Sequence, residues 1–151
     1  MTGPFVWTEP VRDEWIDYNG HLSEPYYVLV FGHATDAVME HVGLGPEHRA
    51  RAGTSLFTVE AHVRYLDQVP AGADLEVQSA LIGATGKLLC IWHELRVDGT
   101  LRATEEVLAV HVDTTVGRSS PFPADVVRRI DASLVSPPAE AGTAIGLGQG
   151  D

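Results

Sequence analysis

The amino-acid sequence predicts an α+β domain in which a curved antiparallel sheet of five strands wraps around one long central helix. Residues 24–42 carry apolar side chains at helical spacing, and the segments after them carry apolar side chains at every second position. A single long apolar helix needs a broad surface to cover it, and a curved sheet provides one. The length of 151 residues suits one domain with one core.

The first two predicted elements are a short strand, Phe5–Val11, and the long helix, Glu24–Val42. Ser23 is a suitable N-cap, Pro25 is tolerated in a first helical turn, and Gly43 is a suitable residue just beyond the C-terminus. The apolar stripe of this helix consists of Tyr27, Val30, Phe31, Ala34, Val38 and Val42. We therefore expect the helix to be largely buried.

Four consecutive strands are predicted after the helix. They cover Thr54–Leu66, Leu75–Leu81, Leu88–Val97 and Leu101–Asp113. In the first of them, polar residues alternate with apolar ones at Phe57, Val59, Ala61, Val63 and Tyr65, which is typical of a half-buried strand. Asp98-Gly99 predicts a hairpin turn. The alternation slips at Glu105-Glu106, which indicates a bulge.

The chain ends in a predicted short helix and a tail. The helix, Ala124–Leu134, follows Pro121 and Pro123. Residues 135–151 contain four glycines and little to bury, so we expect a disordered tail after a domain of residues 1–134. One strand, one long helix and four antiparallel strands are the elements of the hotdog architecture. Its sheet leaves an edge strand open, which predicts edge-to-edge dimerisation.

Composition and charge exclude several classes of partner. Acidic residues outnumber basic ones by 21 to 10, and the resulting net charge of −11 opposes a nucleic-acid surface. We expect no membrane partner, because no segment is long and apolar enough to span a bilayer and the N-terminus lacks the features of a signal peptide. The lone Cys90 cannot form an intrachain disulfide, and we expect a cytoplasmic protein. No cofactor is expected, and no metal, because the histidines lack zinc-like spacing with cysteines.

The turn before the long helix is the candidate active site. Asp17 to His21, "DYNGH", place an acid, an amide, a glycine and a histidine at the helix entrance. An ordinary strand-to-helix turn needs a glycine and a cap, but not an Asp and a His on either side of them. This turn, the long helix and the strand order resemble the 4-hydroxybenzoyl-CoA thioesterase family of hotdog enzymes, whose pattern is Asp, then Asn or Met, then Gly-His.

The resemblance is closer to one branch of that family, the betainyl-CoA thioesterases of bacterial carnitine degradation. Three blocks carry it: "EWIDYNGHLSEPYYVLVFGHATDAVMEHVGL", "GTSLFTVEAHVRYLDQV" and "EEVLAVHVDT". Betainyl-CoA is the CoA thioester of glycine betaine. The resemblance therefore implies hydrolysis of a short acyl-CoA thioester.

Asp17 is the expected catalytic carboxylate, either attacking the thioester carbonyl or activating water. The start of the helix offers unpaired N–H groups and a positive dipole end to the developing oxyanion. Gly20 lets a substrate approach the backbone closely, and the resemblance adds a backbone N–H near residues 20–22 that polarises the thioester oxygen. Asn19 and His21 are expected to hold the turn. The alternative for Asp17 is a structural cap of the turn.

Further candidate residues lie outside the turn. Glu60 is a second candidate carboxylate. The resemblance implies that it approaches the active site of the opposite subunit, and the alternative is that it lies on a solvent-exposed strand face without a catalytic role. Aromatic rings recognise quaternary ammonium groups, and the candidates are Trp15, Tyr26, Tyr27 and Phe31, of which Tyr27 and Phe31 are expected to be core residues first. Cations available to CoA phosphates are Arg49, Arg51, Arg64, Lys87 and Arg118.

Two other functions stay open at the level of the sequence. A hotdog enoyl-CoA hydratase also pairs an Asp and a His in this loop, although its loop usually carries proline where this chain has Gly20. The second open function is a catalytically silent acyl-CoA-binding module. Such modules usually carry an additional DNA-binding segment, and the net negative charge of this chain opposes DNA binding. For each of these functions we expect an acyl-CoA ligand and a homodimer or a dimer of dimers.

Overall fold

The computed structural model describes residues 5–145 and Leu147. Its elements in chain order are β1 (Phe5–Pro10), a 3-10 turn (Asp13–Trp15), α1 (Glu24–Val42), α2 (Pro46–Ala52), β2 (Thr54–Tyr65), β3 (Asp74–Ala84), β4 (Leu88–Val97), β5 (Thr100–Asp113), β6 (Arg118–Ser119) and α3 (Ala124–Ser133). The strands form one antiparallel sheet in the order β1-β3-β4-β5-β2, and β6 pairs with β5. This is the hotdog fold, with α1 inside the curved sheet. Within the described residues, no helix is long and apolar enough to cross a membrane.

The long helix α1 has the predicted bounds and the predicted buried stripe. It ends at Gly43, whose φ of +88° is a left-handed conformation that favours glycine. The Gly43 N–H donates to the Glu40 carbonyl at 3.2 Å, which satisfies one of the last helical carbonyls. Ser23 occupies the N-cap position, but its side chain makes no capping hydrogen bond.

Three short elements, the 3-10 turn, α2 and β6, have no counterpart in the sequence prediction. Helix α2 has seven residues, which is too short for an apolar period to emerge. Its boundaries are nevertheless marked in the sequence, because Pro46 stands in the first turn and Gly53 ends the helix at φ +70°. Strand β6 has only two residues and extends the hairpin that begins at the end of β5.

The predicted bulge at Glu105-Glu106 is wrong. Strand β5 stays in register there, with Glu105 opposite His93 and Glu106 opposite Trp92 of β4. Both carboxyl groups are buried, with 4% and 2% of their surface exposed. The broken alternation therefore reflects two buried acids, one on each face of the sheet, and no extra residue. A register shift lies instead in β2, within Thr58–Glu60.

Strand β2 ends the five-strand path, and its outer edge carries exposed apolar side chains. Phe57 is 46% exposed and Val59 is 54% exposed, so the alternating apolar residues of this part of the half-buried strand do not form a buried face within a single chain. The β2–β5 register shifts at Val59, which breaks the alternation that the sequence displays. A long apolar edge of this kind is a pairing surface for another strand.

A buried polar network lies between α1 and the inner face of the sheet. Thr35 Oγ1 donates to the Phe31 carbonyl at 3.0 Å and lies 2.9 Å from His93 Nε2, while Ser79 Oγ lies 2.6 Å from His93 Nδ1. Because the Thr35 hydroxyl proton is already engaged, Nε2 donates to Thr35 and Nδ1 accepts from Ser79. Burial lowers the pKa of His93 to about 3, so the ring is neutral at physiological pH.

Ser79→Ala is expected to lower the free energy of unfolding by about 1–3 kcal/mol, because it leaves Nδ1 of His93 buried without a donor. Chemical denaturation of the two proteins at one protein concentration measures the difference. Ser136→Ala, at an exposed position of the tail, is the control and should change stability little. Equal stability of Ser79→Ala and the parent protein would show that Ser79 contributes nothing to this network.

The first part of the expected tail, residues 135–145, packs on the outer face of the sheet. The Val135 N–H donates to the Leu81 carbonyl at 2.9 Å, and the Gly142 N–H donates to the buried Glu106 carboxylate at 2.9 and 3.1 Å. Ile145 is buried against Cys90 and Leu108 of the same face. Residues 135–145 therefore contact strands of the domain that we expect to cover residues 1–134. Residues 146 and 148–151 of the expected tail lie outside the described residues.

Candidate active site

The DYNGH turn folds back on itself through its own backbone. The Asp17 N–H donates to the His21 carbonyl and the Gly20 N–H donates to the Asp17 carbonyl, both at 3.0 Å. Gly20 has φ +82°, and nothing lies within 4 Å of the position that a Cβ atom would occupy. Glycine is therefore required here by the backbone conformation, and the space beside it is open to a ligand.

Two neighbouring segments hold the turn in place. The Leu22 N–H donates to the Val69 carbonyl at 2.9 Å, and the Ser23 N–H donates to the Trp15 carbonyl at 2.9 Å. These bonds fix the turn between the 3-10 turn on one side and the β2–β3 connection on the other. The entrance of α1 is thus rigidly positioned by residues from two other parts of the chain.

The Asp17 carboxylate caps its own turn and faces an open groove. Asp17 Oδ1 accepts the Asn19 N–H at 2.8 Å. The groove has a volume of about 660 Å³, and its lining residues are Asp17, Asn19, His21, Leu22, Glu24, Tyr27, Tyr65 and Gln68. Asp17 can cap the turn and still interact with a ligand, because one hydrogen bond leaves most of the acceptor capacity of a carboxylate unused.

Backbone amides beside Asp17 can stabilise a developing negative charge. Of the amides of residues 20–22, those of Gly20 and Leu22 have intrachain acceptors, whereas the His21 N–H has none among the described residues. Glu24 is the first residue of α1, where an N–H group has no helical acceptor. His21 and Glu24 both line the groove with Asp17. The positive end of the α1 dipole points the same way.

The predicted aromatic residues separate into different environments. Tyr27 lines the groove and packs edge-on against Tyr65, with ring centroids 5.1 Å apart. Trp15 and Tyr26 stack on each other at 5.6 Å, and the Arg12 guanidinium covers the Trp15 ring at 5.4 Å. The Trp15 faces are thereby occupied within the chain. Phe31 is fully buried and stacks on His93. Sequence reasoning missed Tyr65 as a groove residue.

Glu60 does not approach Asp17 within one chain. It follows the register shift of β2, is exposed, and pairs with Leu108 of β5. Leu108 packs with Cys90 on the outer face of the sheet, so Glu60 lies on that face too. Burial, together with the charges of Glu106 and Glu60, raises the pKa of the Cys90 thiol to about 11. Any role of Glu60 at an active site would therefore have to be played in another subunit.

The five candidate cations for CoA phosphates are spread over the chain. Arg49 and Arg51 lie on α2, Arg64 lies on β2, and Lys87 and Arg118 lie near the β5–β6 hairpin, where Lys87 Nζ donates to Ser119 Oγ at 3.4 Å. Arg64 precedes Tyr65 of the groove. Within the described part of the chain, no group of three or more His, Cys, Asp or Glu side chains is arranged to hold a metal ion.

A second cavity, of about 310 Å³, lies farther along α1, between the helix, β2 and β5. Its lining residues are Val28, Gly32, Thr35, Asp36, Met39, Leu56, Thr58, Ala61, Glu105, Val107 and Ala109. Burial raises the pKa of the Glu105 carboxyl in its wall to about 7. Sequence reasoning missed this cavity, and the only signal for it was the charged pair at positions 105 and 106 within an apolar strand.

Comparison with known proteins agrees with the geometry. Residues 11–130 match the profile of the thioesterase-like superfamily. The betainyl-CoA thioesterase of Pseudomonas aeruginosa strain PAO1 is 44% identical over 125 residues, which are 82% of this chain and 79% of that protein. The L-carnitine dehydrogenase/betainyl-CoA thioesterase of Agrobacterium fabrum strain C58 is 44% identical over 122 residues, which are 80% of this chain and 25% of that longer protein.

Solved structures share the same architecture. A Staphylococcus aureus protein in complex with CoA superposes with a TM-score of 0.85 at 26% sequence identity, covering 97% of this chain and 98% of that one. The superfamily profile covers most of the sequence, including the DYNGH turn, and the Pseudomonas aeruginosa relative covers 82% of it. The chain belongs to the thioesterase-like superfamily.

Proposed function

We propose that this protein is an acyl-CoA thioesterase that hydrolyses betainyl-CoA to glycine betaine and CoA. The observation that carries the proposal is Asp17, which lines an open groove beside two backbone amides, those of His21 and Glu24, that have no acceptor among the described residues. The similarity to betainyl-CoA thioesterases over most of the chain supports the acyl group. A single buried thiol, Cys90, fits the reducing cytoplasm, where we place the reaction.

In the proposed reaction, the thioester carbonyl lies against the N-terminus of α1, and its oxygen accepts hydrogen bonds from the amides of His21 and Glu24. Asp17 either attacks the carbonyl carbon or takes a proton from an attacking water. In the first case the C–S bond breaks, CoA leaves as a thiolate, and water hydrolyses the acyl–Asp17 anhydride. In the second case water adds directly and the same C–S bond breaks. Asn19 and His21 hold the turn in both.

A panel of acyl-CoA substrates with a thiol reagent tests the proposal. We expect free CoA from betainyl-CoA at a higher kcat/KM than from acetyl-CoA or long-chain acyl-CoA. Release from none of them would refute the thioesterase function, whereas release from the others alone would refute the betainyl group. Hydration of crotonyl-CoA, followed by the loss of its conjugated absorbance, would identify the hydratase alternative.

We further propose that two chains pair through β2. The exposed apolar side chains of Phe57 and Val59 lie on this unpaired edge, and burying them would be favourable. Antiparallel pairing of β2 with its copy would give a continuous sheet and an isologous dimer. This pairing would also cover the cavity that Thr58 and Ala61 of the same strand line.

Val59→Glu is expected to prevent this pairing, because it places a charge at the centre of the apolar edge. The variant should elute from size exclusion at the mass of one chain and lose at least about tenfold in turnover at low protein concentration. Val116→Glu is the matched control, since Val116 is 64% exposed in the turn after β5, away from this edge. A Val59→Glu variant that still elutes as a dimer would contradict pairing through β2.

A further inference from the structure

We propose that the cavity between α1, β2 and β5 binds the quaternary ammonium group of the acyl chain, and that Glu105 is the counter-ion that selects this cation. The inference deepens the proposed thioesterase function and rests on it. It assigns substrate specificity to a strand that is remote in sequence from the DYNGH turn. It also assigns a role to a buried acid that the reaction itself does not use.

The cavity wall combines apolar surface with negative charge. Apolar side chains form most of it, including those of Val28, Met39 and Val107, and its two ionisable residues are Glu105 and Asp36. Among the described residues, no Lys or Arg side chain contributes to this wall. A quaternary ammonium carries charge without an N–H donor, so it requires apolar contact and a nearby anion instead of a set of hydrogen-bond acceptors. The wall supplies both.

Glu105 is a buried acid without a partner in the part of the chain that the structure describes. Its residue surface is only 4% exposed, it lines the cavity, and it makes no hydrogen bond or ion pair among the described residues. His93, opposite it on β4, cannot supply a charge, because Ser79 and Thr35 occupy both ring nitrogens and the ring is buried and neutral. A buried carboxylate without a partner is costly, and a bound cation would offset that cost.

The cavity of one chain begins at Val28, one turn of α1 beyond Glu24 of the groove, but Glu105 lies farther along, at the level of His93 and Thr35. From Glu24 to Thr35 the helix rises by about 16 Å, whereas one methylene group separates the carbonyl carbon of a betainyl group from its nitrogen. Two-fold pairing through β2 reverses the direction of α1 in the second copy, so the turn of one copy approaches the cavity of the other. The complete site would then take Asp17 from one chain and Glu105 from the other.

Specificity is tested with betainyl-CoA and its neutral isostere, 3,3-dimethylbutyryl-CoA, in which carbon replaces the nitrogen. We expect the parent protein to prefer betainyl-CoA. Glu105→Gln should lower kcat/KM for betainyl-CoA by about 30-fold or more and leave kcat/KM for the isostere nearly unchanged. Glu47→Gln, which removes an exposed carboxylate on α2, should preserve the preference of the parent.

The outcomes separate the two proposals. If Glu105→Gln lowers both kcat/KM values equally, or leaves their ratio unchanged, Glu105 does not select the cation although the enzyme is a thioesterase. Equal hydrolysis of both substrates by the parent protein overturns the cation site even if the variant does not fold. Hydrolysis of neither substrate refutes the thioesterase function and this inference with it.

Mixed dimers test the shared site. When Asp17→Asn and Glu105→Gln chains are refolded together in equal amounts, half of the dimers are mixed, and each holds one intact site. Activity toward betainyl-CoA should therefore rise from near zero to about a quarter of the parent value. As a control, the double variant refolded with the parent protein forms mixed dimers that have no intact site. Activity of the first mixture no higher than that of its separate components would overturn the site shared between chains.

Discussion

Replacing Asp17 with asparagine is expected to lower kcat by roughly a hundredfold or more while the Tm hardly changes. Asn retains an oxygen that can accept the Asn19 N–H, so the turn keeps the 2.8 Å hydrogen bond that Asp17 makes. The amide carries no negative charge, and it can neither attack a thioester nor activate water at neutral pH. Steady-state hydrolysis of betainyl-CoA and thermal unfolding, measured on the same preparation, separate these effects.

Asp13→Asn is the matched control, because Asp13 is an exposed acid in the 3-10 turn four residues earlier. It should retain the activity of the parent. If Asp17 served only as a cap, Asp17→Asn would cost at most about 1 kcal/mol of stability and little turnover. Near-normal turnover of Asp17→Asn would show that the turn has a structural role only. Glu60 would then be the next candidate for the catalytic carboxylate.

The stability of the protein is expected to fall by about 3 kcal/mol as pH rises from 4.5 to 7, through Glu105 alone. Burial raises the pKa of this carboxyl from 4.5 to about 7. Between these values the unfolded chain has lost the Glu105 proton and the folded chain still holds it, so stability decreases with rising pH. This loss of folding stability is absent below pH 4.5 and complete above pH 7.

Glu105→Gln isolates this contribution, because glutamine does not titrate. The difference in unfolding free energy between the variant and the parent should shift by about 3 kcal/mol in favour of the variant from pH 4 to pH 8. The ionisable groups that face Glu105, Asp36 on α1, His93 on β4 and Tyr65 on β2, are present in both proteins. Their titrations largely cancel in the difference. A pH-independent difference, measured without substrate at one protein concentration, would show that Glu105 has an ordinary pKa.

The main elements could be predicted because local pattern and global fold agree in them. The stripe of α1 is a strong periodic signal, β4 is a short apolar run closed by the Asp98-Gly99 turn, and the bounds of both match the structure. The environment of β2 could not be predicted in the same way. Alternation shows that one side of a strand is apolar, but the burial of that side depends on the neighbours of the strand, and β2 has an unpaired edge.

The site was predictable where residues are adjacent in sequence and was missed where the fold brings them together. Asp17 and Gly20 lie in one turn, so the five-residue motif DYNGH is enough to predict their roles. Tyr65 reaches the same groove only because β2 runs beside α1, and Glu105 enters its cavity from another strand. Trp15 and Tyr26 are close to the turn in sequence, yet they stack on each other, which sequence proximity alone does not reveal.

The packing of residues 135–145 on the sheet also affects the sensitivity of the protein to oxidation and to C-terminal truncation. Ile145 covers Cys90, and the Gly142 amide engages the Glu106 carboxylate beside it. A version of the chain cut after α3 would uncover a free thiol within an apolar patch, which invites intermolecular disulfides and aggregation. The outer face of the sheet is therefore shielded by a segment whose composition, rich in glycine and proline, resembles that of a dispensable extension.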